Sequence, residues 1–571
     1  MVAKKPRIVI IGAGMAGLVA ANKLYTSPGS KELFELCIVE GGTRIGGRIL
    51  TRELAGDRIE MGATWIHGIG GSPIHKIAEE IGALDSKQPW EHKDGYPKDV
   101  LTVAEGGFVL DPSIVEPISN LYRKLMDYAQ GKLIEGSEKK SEVEHYRTAT
   151  NKSYKKNSST SSSNGYYGEL SIGSFLRKGL DGYWNEEEKI KGYLSSSRKS
   201  LEEAVFTMYE NSERAHTSAG DLSNLDYNAE SEYREFPDEE ITIAKGYLSI
   251  IESLASVLPA GLIQLGKKVK KIEWKAEAEG LIPSMEMENG HGSRPVKLHF
   301  DDGSILTADH VIVTVSLGVL KAGIRDELGM FSPPLPSFKT DAISRLGFGI
   351  VNKLFLELSP TQDQEFKNKK FPNLQMAFYP PDSKLRQQEI PWWMRRTASL
   401  CPIYKNSSVL LSWFAGQEAL ELESLKDEEI INGVSTTISS FLCNSQTQKV
   451  VNSQKCSNGN VKSMENSHGF IKFSRVVKSK WGTDPLFMGS YSYVAVGSGG
   501  HDLDSMAEPL PTISDSCVAA KSPPLQILFA GEATHRTHYS TTHGAYFSGE
   551  REANRLLKHY NCGGFSEMLH Y

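Results

Sequence analysis

The segment that most constrains the fold of this chain is GAGMAG at residues 12–17. It follows RIVII at 7–11, an apolar run that predicts a short buried strand. LVAANKLY continues with helical spacing, and LFELCIVE then predicts a second strand. This strand–helix–strand order predicts a doubly wound α/β domain, with a dinucleotide at the turn that opens the helix.

Each glycine of the turn has a physical task in holding a pyrophosphate. Gly12 permits the tight turn, Gly14 lets the backbone approach the phosphates, and Gly17 lets helix and strand pack closely. Glu40 ends the second strand, where its carboxylate is expected to accept hydrogen bonds from ribose hydroxyls. An ordinary glycine-rich turn is the alternative. The residues predicted to hold the dinucleotide here are Gly12, Ala13, Gly14, Met15, Ala16, Gly17, Glu40 and Gly41.

Two further segments favour FAD over NAD. GGTRIGGR at 41–48 goes beyond what a nicotinamide cofactor needs, and Arg48 in it is expected to pair with pyrophosphate oxygens rather than lie in a solvated loop. Near the C-terminus, Glu532 follows the buried strand ILFAG. TTHG at 541–544 then opens a helix whose positive end would stabilise a reduced flavin.

Composition excludes several other classes of protein. The 571 residues exceed one hydrophobic core, and a net charge of −6 leaves no basic field for nucleic acid. The cysteines are widely spaced, and His535, His538 and His543 lack a carboxylate at a known ligand spacing, so no metal site is predicted. Because neither a membrane-length apolar run nor a signal peptide is visible, no membrane contact and a cytoplasmic location are expected.

The element pattern predicts a discontinuous FAD-binding domain of the Rossmann type. Strands are predicted within 262–274, 296–300 and 309–315, and a helix at 544–558. A substrate-binding domain of helices and a mixed sheet is expected to be inserted in two pieces. The predicted FAD-binding parts are 6–90, 241–340 and 491–560, the substrate parts are 91–240 and 341–490, and polar insertions fall at 149–165, 275–294 and 443–468.

Several motifs in this order resemble one family. GAGMAG with GGTRIGGR, MGATWIHG, VIVTVSLGVL, the VNK strand and LFAGEATH with THGAYFSG together resemble the flavin-containing amine oxidases. The match is closest to plant polyamine oxidases, in the branch without targeting signals that acts on spermine and thermospermine. The resemblance covers nearly the whole chain apart from the polar insertions. It implies non-covalent FAD, because no cysteine matches the flavin-linking position of monoamine oxidases.

The resemblance also implies which residues line the flavin. IEMGATWIHGIGG at 59–71 is interpreted as a wall that its glycines bring close to a flat ligand. The backbone at Val269 is expected to contact the adenine end, with Thr314 nearby. The residues expected to line the flavin in addition to those above are Gly62, Ala63, Thr64, Trp65, Glu532, Thr541 and Thr542.

Two residues are implied to act on the reacting atoms. Strand alternation places Lys353 on one face with Val351 and Phe355, which predicts a buried ammonium. The resemblance implies that Lys353 holds a water beside flavin N5; the alternative is a lysine that snorkels from an edge strand. His67 stands where some plant relatives carry glutamate. It is expected to bind a substrate amine or shape the pocket, unless it is a structural histidine.

Substrate contacts are expected on both sides of the flavin. Glu210 and Glu213 align with acidic pocket residues of the family, although surface glutamates are the alternative. Tyr491 matches one of two aromatic walls that flank the flavin in relatives. The other wall maps to Thr541, where relatives carry an aromatic residue, so the site should be wider there. Trp65, which lines the flavin, is also expected to contact the substrate. The acidic run at 238–240 is interpreted as a solvated face.

The activity that the resemblance implies is oxidation of spermine or thermospermine at a secondary amine. An unprotonated nitrogen would assist loss of hydride from the adjacent carbon to the flavin. Hydrolysis would then give spermidine and 3-aminopropanal, and oxygen would become hydrogen peroxide. The alternatives are a flavin amine oxidase of the lysine-demethylase type and a non-catalytic FAD-binding scaffold. The oligomeric state is left open.

Overall fold

A computed structural model describes residues 5–85, 99–132, 170–192, 195–274, 294–325, 329–360, 371–404, 407–442, 471–512 and 525–561. The predicted insertions at 149–165 and 443–468, and residues 275–293 of the third, lie outside these ranges. The described chain alternates helices with several sheets, which confirms the predicted α/β class. The domain boundaries stay a prediction.

A five-stranded parallel sheet lies at the centre of the part of the molecule that contains the glycine-rich turn. Its strand order is β22-β13-β1-β2-β9, and every neighbouring pair is parallel. The central strand β1 is buried along most of its length because its apolar run is covered on both faces. The strands are β1 (Arg7–Ile11), β2 (Glu35–Val39), β9 (Ile263–Gln264), β13 (His310–Val313) and β22 (Ile527–Phe529).

Helices from distant parts of the sequence cover one face of this sheet. Helix α1 (Met15–Thr26) follows β1 and packs against the last helix, α12 (Thr542–His559). A Cβ at Gly549 would overlap the Ala16 carbonyl, so only glycine allows this approach. The same core includes α2 (Pro73–Glu80) and α6 (Leu248–Ser256). The first and last segments of the chain therefore build the cofactor side together.

The opposite face carries a second, smaller sheet. Its order is β12-β11-β10-β14, from β10 (Val269–Glu273), β11 (Val296–Phe300), β12 (Ile305–Ala308) and β14 (Phe331–Ser332). The helices beside it are α7 (Leu317–Gly323), α8 (Ser337–Arg345) and α11 (Gly500–Ala507). The predicted strands at 262–274, 296–300 and 309–315 and the helix at 544–558 are therefore confirmed, with 262–274 divided into β9 and β10.

A mixed sheet forms the other half of the molecule. Its order is β20-β16-β19-β18-β17-β6-β7. The strands are β6 (Val100–Ala104), β7 (Phe108–Val109), β16 (Val351–Leu358), β17 (Asn373–Ala377), β18 (Ser399–Pro402), β19 (Val409–Ala415) and β20 (Phe473–Lys478). The helices are α3 (Pro112–Ala129), α4 (Ile172–Lys191), α5 (Ser196–Thr217), α9 (Gln417–Ser424) and α10 (Asp427–Leu442). Strand β16 has neighbours on both sides, so Lys353 lies within the sheet rather than at its edge.

Short two-stranded ribbons lie between the two halves. They pair β3 (Thr51–Leu54) with β4 (Asp57–Glu60), β5 (Trp65–Ile66) with β8 (Ile241–Thr242), and β15 (Gly347–Gly349) with β21 (Tyr491–Tyr493). Each ribbon contains or borders residues that the sequence assigns to the flavin or the substrate. No helix in the described ranges is long and apolar enough to cross a membrane.

Candidate active site

The turn between β1 and α1 accepts only glycine at its key positions. Gly12 has φ +107°, and a Cβ there would lie 2.5 Å from Thr314 Oγ1. Thr314 Oγ1 in turn donates to the Ile11 carbonyl at 2.7 Å. A Cβ at Gly17 would overlap the carbonyl of Gly12. Backbone crowding, and not only a ligand, therefore requires these glycines.

The N-terminus of α1 opens into a cradle between two stretches of backbone. Gly14 is the N-cap and supplies no side-chain cap, so the first turn, from Met15 and Ala16 onward, keeps its positive end for a ligand. A Cβ at Gly14 would point to within 3.8 Å of the Gly47 Cα. The Gly46 N–H donates to the Ala13 carbonyl at 2.8 Å, which holds the second glycine pair against the first. This donor set and the missing side chains fit a pyrophosphate.

Glu40 lies beside this cradle at the end of β2. One carboxylate oxygen accepts from the Ala13 N–H at 2.8 Å and the other from the Gly42 N–H at 2.7 Å. A carboxylate has about four lone-pair sites, so capacity is left for ribose hydroxyls. A Cβ at Gly41 would lie 3.5 Å from the Cα of Lys268, the residue before Val269. Val269, the first residue of β10, therefore lies close to Gly41, on the side where the sequence predicts the adenine end of the cofactor.

An ion pair joins the predicted cofactor residues Arg48 and Glu532. Arg48 Nη1 lies 2.9 Å from Glu532 Oε1 and donates to the Ser490 carbonyl at 2.7 Å. The other Glu532 oxygen accepts from the Ser492 hydroxyl at 2.5 Å and the Ser540 N–H at 2.9 Å. These contacts fix the C-terminal segment to the second glycine pair.

The N-terminus of α12 is capped by its own sequence. The Thr541 hydroxyl accepts from the Gly544 N–H at 2.9 Å and donates to the His538 carbonyl at 2.7 Å. The helix cap therefore accounts for this buried hydroxyl. The sequence interpretation, which considers Thr541 only as part of the substrate wall, does not include this role. Thr542 follows and hydrogen-bonds the Tyr247 hydroxyl through its own Oγ1.

The glycines of IEMGATWIHGIGG make room for protein backbone. A Cβ at Gly62 would overlap the Arg48 carbonyl, and one at Gly68 would overlap the Phe236 carbonyl. Gly68 also has φ +72°, a conformation that favours glycine. The sequence interpretation of these glycines as a surface for a flat ligand is thus incomplete. They bring this segment against 44–48 on one side and 236–240 on the other.

Lys353 is buried beside the GATW segment, as strand alternation predicts. Its Nζ donates to the carbonyls of Glu60 at 2.7 Å and Gly62 at 2.6 Å and to the Thr64 hydroxyl. Burial lowers the pKa of Lys353 to about 7, and burial raises the pKa of the neighbouring Glu60. The ammonium thus has a proton that is exchangeable near neutral pH, next to the segment assigned to the flavin.

Two tryptophan rings extend this arrangement. Lys353 Nζ lies 4.3 Å from the Trp413 ring centroid, and Trp413 stacks on Trp65 with centroids 5.4 Å apart. The reason is cross-strand register, because Lys353 and Trp413 are direct partners in β16 and β19. Ala63 lies between Gly62 and Thr64 and is partly buried against the core of the cofactor layer.

His67 has a carboxylate partner. His67 Nδ1 lies 2.7 Å from Glu240 Oε1. Strands β5 and β8 pair Trp65 with Thr242 and Ile66 with Ile241, so His67 and Glu240 are the next residues across the ribbon. The interpretation of 238–240 as a solvated face is therefore incomplete for Glu240, whose side chain is 37% exposed but contacts His67 across the ribbon.

Further carboxylates lie near His67. We call Glu213, Glu230, Glu235 and Glu240 the acidic cluster. Burial raises the pKa of Glu213, which is nevertheless partly accessible. Burial and the charge of Glu213 raise the pKa of Glu230 to about 7. Besides the imidazoles of His67 and His216, Lys132 lies near the cluster, with Nζ 2.8 Å from Glu235.

Tyr491 borders the acidic cluster, whereas Glu210 does not. The Tyr491 hydroxyl donates to the Ala215 carbonyl, and burial and the charge of Glu213 raise its pKa. Glu210 lies about one helical turn before Glu213 on α5 and is ion-paired with Arg177. The two glutamates that the sequence groups together therefore have different charged neighbours.

Three residues of this region were missed from the sequence. Trp413 lies in β19, and its contact with Lys353 depends on the register between β19 and β16. Glu230 had no motif around it, and His216 follows Glu213 by one helical turn, a spacing that would have placed both on one face. His535, His538 and His543 instead pack with Phe236 and Phe547, and among the described residues no ligand group suited to a metal occurs.

Comparison with known proteins decides the family. The model of the flavin containing amine oxidoreductases matches residues 15–557. This chain belongs to that family. It is 58% identical to probable polyamine oxidase 5 of Arabidopsis thaliana over 573 residues, covering 98% of this chain and 99% of the relative. Identity is 44% to polyamine oxidase 1 of Oryza sativa subsp. japonica, covering 99% of both chains.

A human relative extends the comparison. Peroxisomal N(1)-acetyl-spermine/spermidine oxidase of Homo sapiens is 30% identical over 583 residues, covering 97% of this chain and 95% of the relative. This amine oxidoreductase therefore uses FAD, and the glycine cradle, Glu40 and the N-terminus of α1 fit the pyrophosphate and ribose of that cofactor. When bound, FAD accepts the electron pair that leaves the amine carbon.

The residues of the amine oxidoreductase supply the remaining chemistry. The negative charge of the acidic cluster attracts cationic groups, with the Glu235 and Glu240 side chains 39% and 37% exposed. The Lys353 ammonium has carbonyl and hydroxyl oxygens as acceptors, so it can hold or release a proton without leaving its place. The stacked Trp65 and Trp413 rings give the same region an apolar wall.

Proposed function

We propose that this enzyme is a polyamine oxidase. The observation that carries the proposal is the acidic cluster beside His67, because a linear polyamine has several cationic nitrogens that need carboxylates. The names of the three relatives, two polyamine oxidases and an acetyl-spermine/spermidine oxidase, agree with this substrate class. Spermine and thermospermine are the proposed substrates.

The proposed roles follow from charge and position. Glu213 and Glu230 bind the nitrogens that stay protonated. Trp65 and Tyr491 flank the methylene chain. His67 contacts the reacting nitrogen, which must be neutral so that its lone pair assists loss of hydride from the adjacent carbon. Lys353 holds a water molecule beside flavin N5 and can hold or release a proton there.

The proposed products are spermidine, 3-aminopropanal and hydrogen peroxide, with oxygen as the acceptor. FAD is proposed to be bound without a covalent link through the cradle described above and through Gly62, Ala63, Thr64, Thr314, Glu532 and Thr542. The cytoplasmic location stays a prediction. Denaturing the protein and filtering it tests the link, because non-covalent flavin then passes the membrane with the small molecules.

Anaerobic mixing tests the substrate class. The purified holoenzyme is mixed with spermine, with thermospermine and with a methyl-lysine peptide, and the visible flavin band is followed. We expect the two polyamines to bleach the flavin, and product analysis after one turnover to give spermidine. Bleaching by the peptide alone would instead support the demethylase type. A flavin that stays oxidised with every amine would contradict the proposal.

Two glutamates on α5 provide a matched pair of variants. Glu213→Gln removes a charge from the acidic cluster, and we expect the Kd for spermine, taken from the dependence of bleaching rate on spermine concentration, to rise about tenfold. Glu210→Gln removes the same charge at the Arg177 ion pair and should leave this Kd within about twofold. Equal effects of the two substitutions would contradict the assignment of the acidic cluster to substrate.

A further inference from the structure

The pair His67 and Glu240 is held from both sides by backbone. The ribbon of β5 and β8 ends one residue before His67 and one residue after Glu240. Beyond the pair, the Gly70 N–H donates to the Pro237 carbonyl at 2.9 Å, which continues the same contact. A Cβ at Gly68 would overlap the Phe236 backbone, so glycine there permits the approach. The main chain thus makes His67 and Glu240 cross-strand neighbours, and their side chains meet with His67 Nδ1 2.7 Å from Glu240 Oε1.

The surroundings keep Glu240 in its charged form. Burial alone would raise its pKa, but the hydrogen bond with His67 and the positive charge of Lys132 lower it. His216 lies edge-on to His67, with ring centroids 6.0 Å apart. His543 also faces His67, and burial lowers the pKa of His543. An ionised carboxylate accepts hydrogen bonds and donates none.

This chemistry decides which nitrogen of His67 carries the proton. Because Glu240 only accepts, the contact requires a proton on Nδ1, and in a neutral imidazole the other nitrogen, Nε2, then has a free lone pair. We infer that Glu240 is a positioning residue that holds His67 in this tautomer, so that Nε2 accepts an N–H from the substrate amine. The inference rests on the proposed function only in taking an amine as the ligand of His67.

The consequence for the amine is specific. A neutral secondary amine has one N–H and one lone pair. If its N–H is donated to Nε2, the lone pair stays on nitrogen and is available to assist loss of hydride. With the opposite tautomer, His67 would donate through Nε2 and occupy that lone pair. Glu240 therefore favours the productive orientation through His67 and without touching the substrate.

The tautomer is measured directly by NMR of enzyme with ¹⁵N-labelled histidine rings. The signals of His67 are those that disappear in His67→Ala. We expect a protonated Nδ1 and an unprotonated Nε2 in the wild type, and a shift toward the other tautomer in Glu240→Ala. Signals of His67 that are the same with and without Glu240 would overturn the inference. This measurement needs no substrate, so its outcome is independent of the proposed function.

A double-mutant cycle tests whether Glu240 acts through His67. The rate of anaerobic flavin reduction divided by Kd is compared for Glu240→Ala, His67→Ala and the double variant, with the exposed neighbour Glu239→Ala as control. We expect Glu240→Ala to lose about tenfold to a hundredfold in the wild-type background and less than about twofold when His67 is absent. Full additivity would overturn the inference. Glu240→Gln, which keeps an acceptor for Nδ1–H, should recover part of the loss.

Discussion

Two buried lysines of this enzyme, one in strand β16 and one in helix α8, have similar surroundings. Lys353 and Lys339 are both almost inaccessible, and burial lowers the pKa of each to about 7. Each donates to three oxygens and lies over an aromatic ring, Trp413 at 4.3 Å and Phe529 at 4.0 Å. Burial and a lowered pKa therefore do not by themselves identify a functional lysine.

The difference lies in the oxygens that accept from each lysine. Lys339 Nζ donates to the carbonyls of Ser505 at 2.9 Å, Met506 at 3.1 Å and Glu508 at 2.6 Å, at the C-terminal end of α11. The last carbonyls of a helix have no partner within it, so Lys339 caps α11. Lys353 instead binds Gly62 and Thr64, in the segment assigned to the flavin. A helix end explains the first lysine, whereas the second lies where chemistry is proposed.

The largest expected effect is on Lys353. Lys353→Met keeps the volume and removes the proton-carrying group, so the anaerobic rate of flavin reduction should fall by about 10²- to 10⁴-fold. Stopped-flow absorbance at saturating spermine measures this rate, with flavin content as the control for folding. A fully flavinated variant that is reduced within threefold of the wild-type rate would make Lys353 a second structural lysine.

The next-largest effect is on Lys339, where a substitution should change stability and not activity. Lys339→Met leaves three buried carbonyls without their donor, so the thermal midpoint should fall by about 3 to 10 °C. The rate of flavin reduction per bound flavin should stay within about twofold of wild type. Differential scanning calorimetry and stopped-flow absorbance give the two values. A slow but thermally normal Lys339→Met enzyme would contradict the capping role.

The smallest effect is the pH dependence of the stability that Lys339 contributes. The unfolded lysine keeps its proton up to about pH 10.5, whereas the folded one loses it near 7. The folded state therefore binds fewer protons between these values, and stability rises with pH there. The thermal midpoint of the wild type minus that of Lys339→Met should be larger at pH 9 than at pH 7. An unchanged difference would mean that Lys339 stays protonated when folded.

The sequence predicts the fold better than it predicts the site. The turn at Gly12 and the helix α12 follow from local patterns, because glycine spacing and helical periodicity act over a few residues. The burial of Lys353 also follows from alternation along one strand. Its contact with Trp413 does not, because that contact depends on the register between two strands that are far apart in the sequence.

The acidic residues show the same limit. Glu240 follows two other acidic residues and has a surface pattern, yet the pairing of β5 with β8 turns it toward His67. Glu210 and Glu213 are three residues apart on α5, but one is ion-paired with Arg177 and the other faces Tyr491. A motif gives the residue type, whereas the direction of the side chain depends on elements that the motif does not contain.

The central sheet has a consequence for how the enzyme is made. Its middle strand, β1, is the first strand of the described chain, but its neighbours include β13, and β22 beyond it is the last strand of that chain. Helix α1 is likewise covered by α12, near the end of the described chain. Such long-range pairing delays folding until distant segments have been synthesised. The glycine cradle itself is built from residues 12–48, whereas the sheet and helix packing around it need strands and a helix from the end of the described chain.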